Sequence, residues 1–293
     1  MTEPHYYHSC SKGLKLETLF ASDTEFIAGM NRIALCMLLC QKEGRQVYVI
    51  AFCLLSNHVH FILHGTEDDC KYFMEKYRRL TAIWIANHRD EKLHEKIEIG
   101  EWRIPNKDKL QEKIVYVLRN AMDAGNGLVP QGYRWCSANL LFCDNSFTIS
   151  KFKKISDLGS REYSRIFNTK EQLPGTWLIS SDGLIWPGCY TNYKDAEKKF
   201  GDPRRLITVM SKYNVIKEGA REELQDFVSV PDGDIRDRAK EIMQTLFNKE
   251  FISRCSFDER IMMAKILKDE YKCNYKQLAR VLRLKEEDLR GLV

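Results

Sequence analysis

Residues 46–65 read QVYVIAFCLLSNHVHFILHG: two apolar runs joined by Ser56-Asn57, with His58 and His60 one residue apart where the second run begins. Val47 to Leu55 is apolar on both alternating faces, the pattern of a central strand covered on two sides. Ser and Asn supply turn chemistry between the runs, so the stretch predicts a β-hairpin. Side chains alternate along a strand. His58 and His60 therefore share one face, roughly 7 Å apart at Cα from a rise of ~3.3 Å per residue, while Val59, Phe61 and Leu63 fill the other. Such a pair can turn two imidazole nitrogens onto one cation. The bland alternative is two histidines satisfied separately by their neighbours.

On the N-terminal side, YYHSCS (6–11) is short and aromatic, and DTEFIAGMNRIALCMLLCQK (23–42) opens with Asp23 as a cap and keeps helical apolar spacing through Leu39. On the C-terminal side, residues 67–89 predict a second helix, 97–103 a strand, and KDKLQEKIVYVLRNAMDA (107–124) a third helix closed by Gly125. The order β-α-β-β-α-β-α predicts an α+β fold with a ferredoxin-like antiparallel sheet and flanking helices over residues 1–137. Residues 138–230 read as an irregular and helical middle region. After VPDGD (230–234), residues 231–293 read as a helical C-terminal extension. Its last two segments, YKQLARVLRL and KEEDLRGLV, form a candidate helix-turn-helix, although Glu286, Glu287 and Asp288 at the start of the second would repel phosphate. Packing or dimerisation is an equal alternative for this module.

In the third helix Tyr116 and Asn120 stand four residues apart and so share a face, with Lys113 and Arg119 close in sequence. A carboxamide oxygen and a phenol one turn apart could both reach a cation held by the strand. A tyrosine on an amphipathic helix is more often core filler. His8 is a secondary candidate on position alone, and His64 lies roughly 13 Å from His60 along a strand, too far to share an ion.

Four separated stretches then resemble one family. NHVH (57–60) after an apolar strand resembles the His-hydrophobic-His signature of the HUH single-tyrosine transposases, in the branch that includes the REP-associated tyrosine transposases. YYHSCSKGLKLETLF (6–20) resembles that branch's opening strand, YVLRNAMDAG (116–125) its tyrosine helix, and YRWCSA (133–138) the segment beyond. Two departures stand out: Ala121 follows Asn120 where the family has proline, and Lys12 stands where it commonly has arginine. The resemblance covers about residues 5–138. It implies the HUH transposase fold, His58, His60 and Asn120 as ligands of Mg²⁺ or Mn²⁺, and Tyr116 as the nucleophile. The implied chemistry is metal-dependent nicking and strand transfer on single-stranded, hairpin-flanked DNA through a 5′-phosphotyrosine. A non-cleaving nucleic-acid-binding descendant is the alternative. A water-using HxH metallohydrolase would need further acidic ligands, and none stands at an obvious spacing.

Candidate DNA contacts are Lys12 in the opening motif, Lys76, Arg78 and Arg79 in the second helix, whose cations interleave with aromatics, and Lys113 and Arg119 beside Tyr116. For the second helix, cations in solvent and aromatics inward is the competing reading. Net charge is only +5, so charge alone does not announce nucleic acid. Ten scattered cysteines without a CxxC pair suit a reducing cytoplasm. Apolar runs reach about half the ~20 residues a membrane helix needs, so no membrane partner is expected, and a homodimer stays open.

Overall fold

A computed structural model of the chain describes residues 3–12, 18–89, 98–123, 129–211, 232–271, 273 and 275–292. The hairpin forms as its sequence predicts: β2 (Val47–Leu54) turns through Ser56-Asn57 into β3 (Val59–Gly65), closed by the Leu55 N–H donating to the His58 carbonyl at 2.8 Å. β1 (His5–Lys12) pairs antiparallel with β3, and β4 (Glu98–Arg103) antiparallel with β1. The result is a mixed α+β arrangement around a four-stranded antiparallel sheet in the order β2-β3-β1-β4. Pairing of β2 with β3 slips between Val49 and Ala51, which leaves Ile50 as a bulge in the ladder.

Three long helices cover this sheet: α1 (Asp23–Lys42), α2 (Glu67–Arg89) and α3 (Lys107–Asp123). Ser22, not Asp23, caps α1. Its backbone is extended and its hydroxyl accepts from the Glu25 N–H, which leaves Asp23 as the first helical residue, where its charge suits the helix dipole. α1 and α2 pack side by side on one face of the sheet, where Phe61 meets Phe73 and Tyr77 of α2 at ring-centroid separations of 5.6 and 5.1 Å. Each such buried aromatic contributes about 1.5–3 kcal/mol relative to exposure. α3 lies on the opposite face, against β2 and β3.

Beyond residue 129 the chain keeps returning to β2. Leu54 N–H donates to the Trp135 carbonyl at 2.9 Å, the Phe52 N–H to the Ser137 hydroxyl at 2.9 Å, and the Asn192 N–H to the Val49 carbonyl at 2.7 Å. The outer edge of β2 is thereby covered, which removes an exposed row of backbone donors and acceptors. Between these contacts come short elements: α4 (Ser146–Ile149), α5 (Ser160–Phe167), the two-residue pair β5 (Lys153–Lys154) and β6 (Leu178–Ile179), α6 (Tyr193–Phe200) and α7 (203–211). One hydrophobic core runs from Tyr7 to Leu206. A second, from Ile235 to Leu289, belongs to α8 (Asp232–Phe247), α9 (Phe257–Tyr271), α10 (Tyr275–Leu282) and α11 (Glu286–Leu292). The expected closing pair of helices is α10 and α11, joined through Arg283 in the left-handed region at φ 55°. Among the described residues no helix is long and apolar enough to cross a membrane.

Candidate active site

Residues opposite one another in an antiparallel pair share a face, and β1 sets Cys10 opposite His60 and His8 opposite Ile62. His8 and His60 therefore lie on the α3 side of the sheet, away from Phe61 and α2. The His8 Nε2 is 3.1 Å from the His60 Nδ1, and the two rings are stacked with centroids 5.3 Å apart. His58 sits in the turn just before β3, its ring edge-on to His60 at 4.7 Å. From above, α3 lowers Tyr116 onto the cluster: its ring meets His8 at 5.4 Å and His60 at 5.5 Å, nearly perpendicular to both. One turn earlier on α3, the Lys113 ammonium lies 5.2 Å from the Tyr116 ring centre. His58, His60 and Tyr116 are thus brought together, although His58 lies in the turn and not, as the strand spacing expects, on β3 itself.

Burial holds the His60 pKa well below the usual imidazole value, and the neighbouring His58, His8 and Lys113 push the same way. His60 is therefore neutral at pH 7, the state in which an imidazole can ligate a metal. Its Nε2 is buried without a hydrogen-bond partner. If His8 donated to the His60 Nδ1, that Nε2 would carry a buried, unsatisfied N–H, which costs about 1–3 kcal/mol. The favoured tautomer has His60 Nδ1–H donating to His8, leaving a lone pair on Nε2. His58 is fixed comparably: its Nδ1 is 2.7 Å from the Asn57 Oδ1, which can only accept, so its lone pair falls on Nε2 as well.

These two imidazoles fit a divalent cation as donors, each with its other ring nitrogen held by an outer partner. Asn120 is buried and its carboxamide nitrogen donates back to the Tyr116 carbonyl of its own helix at 2.7 Å, so Oδ1 is the one atom it can offer a cation. Among the described residues, no group of three or more His, Cys, Asp or Glu side chains forms a metal-holding cluster.

The expected DNA contacts divide. Lys113 is exposed beside Tyr116. Lys76, Arg78 and Arg79 belong to α2 and so sit across the sheet from the phenol; Lys76 pairs with Glu43 at 3.4 Å and Arg78 with Glu75 at 2.6 Å, while Arg79 is exposed. Arg119 does not face a bound strand: it is buried, and its Nη1 donates to the Met210 carbonyl of α7 at 3.2 Å. Lys12 ends β1 opposite Glu98, and its side chain lies outside the described residues. His64 stacks between Tyr6 and Tyr48, apart from the cluster, as its strand spacing predicts.

Sequence reasoning passed over Trp102. It stands on β4 directly opposite His8, and its indole stacks on that imidazole at 5.5 Å. No local pattern marks it, because the contact depends on which strand pairs with β1. No family model matches this chain, and no curated protein or solved structure is similar enough to place it in a family.

Proposed function

We propose that the protein is a metal-dependent nuclease of the HUH single-tyrosine transposase kind, which cuts and rejoins single-stranded DNA through Tyr116. The observation that carries the reading is the convergence of His8, His58, His60 and Tyr116 on one sheet face, with His60 neutral and its Nε2 buried without a partner. The strand order β4-β1-β3-β2, with α1 and α2 together on the opposite face, supports the ferredoxin-like arrangement that the family resemblance implies.

In this reading the Tyr116 oxygen attacks phosphorus, the bond from phosphorus to the 3′ oxygen breaks, and the phenol's proton is lost as the 3′ oxygen departs as a hydroxyl. The strand stays attached through its 5′ phosphate to Tyr116. A later 3′-hydroxyl can reverse the exchange and rejoin strands without an external energy source. His58 and His60 would hold Mg²⁺ or Mn²⁺, which supplies charge withdrawal from the phosphate. His8 keeps the His60 lone pair on Nε2. Lys113 adds a positive charge beside the phenol, where a phosphate is to be drawn in.

The alternative is that the fold binds single strands without cutting them. Incubation with single-stranded hairpin DNA and Mn²⁺, followed by a denaturing gel, separates the two. Cleavage predicts a covalent protein–DNA species from the native chain and none from Tyr116→Phe. An adduct of equal yield from Tyr116→Phe would remove the nucleophile, and binding without any adduct would favour the second reading.

A further inference from the structure

Five tryptophans occur in the chain, and Trp102 is the one classed as exposed, with 46% of its surface open; Trp84 and Trp135 are buried and Trp177 and Trp186 half-buried. An indole left this open forgoes much of the burial that normally stabilises so large an aromatic side chain. Its setting gives a reason. Trp102 lies on β4, an outer strand of the four-stranded sheet, with its ring stacked on His8 at an interplanar angle of 25°. His8 in turn touches both His60 and the Tyr116 ring. Indole and phenol are therefore separated by a single imidazole, a gap that one nucleotide can bridge with its phosphate at the phenol and its base on the indole. Lys113, exposed on α3, adds positive charge on the side of the phenol.

We infer that Trp102 is a stacking platform for an unpaired nucleobase, adjacent to the phosphate presented to Tyr116. The inference rests on the single-strand reading above and specifies how the strand is held. An aromatic face accepts any base, because every base has a π-face, so the platform selects unpaired over paired DNA and does not select sequence. In a duplex the same base is stacked on its neighbours and unavailable. His8 at the indole's back links the base-holding and phosphate-reacting parts of the site.

The test measures binding of a fluorescent single-stranded oligodeoxynucleotide, and of the same sequence as a blunt duplex, to full-length wild type, Trp102→Ala and Trp102→Phe. Wild type should bind the single strand, with quenching of tryptophan emission. Trp102→Ala should bind it about 5- to 150-fold more weakly, the effect of losing one base–aromatic stack, and should lose the quenching. Trp102→Phe should recover most of the affinity, which a merely misfolded variant could not do, and duplex binding should be indifferent to both changes. Equal single-strand affinity in Trp102→Ala and wild type would overturn the proposal, as would an equal loss of duplex affinity. Trp102-dependent binding without a covalent adduct would sink the cleavage reading and leave the platform standing. A full-yield adduct from Trp102→Ala at unchanged affinity would do the reverse.

Discussion

His8 is the residue on which the site turns. One imidazole contacts His60, Tyr116 and Trp102, and its hydrogen bond to the His60 Nδ1 decides which nitrogen of His60 carries the lone pair. Outer partners of metal-ligating histidines typically contribute 10- to 100-fold in metal affinity. Calorimetric titration with Mn²⁺ should therefore find His8→Ala about 10- to 100-fold weaker than wild type, with His64→Ala unchanged. Equal affinities for His8→Ala and wild type would show that the imidazole pair needs no help from β1. At this scale the nearness of His58 to His60 is legible from their spacing, although His58 sits just before β3, while Tyr116 is singled out by the family resemblance, since a tyrosine on an amphipathic helix is more often core filler. The role of His8 is not, since its partner stands 52 positions away and is brought near only by the β1–β3 register. Arg119 misleads for a similar reason. Its neighbours in sequence are site residues, but the α7 carbonyl that takes up its guanidinium comes from a segment without a strong pattern.

Elements divide the labour by face. The apolar alternation of residues 47–65 was enough to foresee the hairpin, and helical spacing enough to foresee α1, α2 and α3. Which face each helix covers is not legible in the sequence, and this is why the cations of α2 read as candidate DNA contacts. Phe61, opposite Ser9, commits α2 to the far face, and its cations go with it. The covering of β2 is likewise a tertiary event. Ser137 is fully buried; its hydroxyl accepts from the Phe52 N–H at 2.9 Å and donates to the Phe52 carbonyl at 3.3 Å, closing the ladder where no strand continues it. Ser137→Ala leaves both backbone groups buried and unpaired, a cost of about 1–3 kcal/mol. Urea unfolding should report a loss of that order, with an unchanged slope. A variant as stable as wild type would mean that other groups satisfy the β2 edge.

Across the whole molecule, two hydrophobic cores divide the chain, one ending at Leu206 and the other beginning at Ile235. His8, His58, His60, Lys113 and Tyr116 all lie in the part of the chain that builds the first core, so a chain ending at Ser211 should fold and yield the covalent adduct at an unchanged rate, as read by circular dichroism and by gel. A folded but inactive short chain would give α8–α11 a part in catalysis. The helical content of this second body could be read from its periodicity. Its task could not, because α10 and α11 make a helix pair whose second member opens with Glu286, Glu287 and Asp288 and bury Leu282 and Leu289 in the core they share with α8 and α9.

Cleavage through Tyr116 requires that its phenol become joined to DNA. Trypsin releases residues 114–119 as Ile-Val-Tyr-Val-Leu-Arg, a peptide in which Tyr116 carries the only side-chain hydroxyl. Mass spectrometry of a nuclease-trimmed, trypsin-digested adduct should find the 5′-nucleotide on that peptide. A nucleotide on any other peptide, or no modified peptide at all after incubation with hairpin DNA and Mn²⁺, would contradict the account.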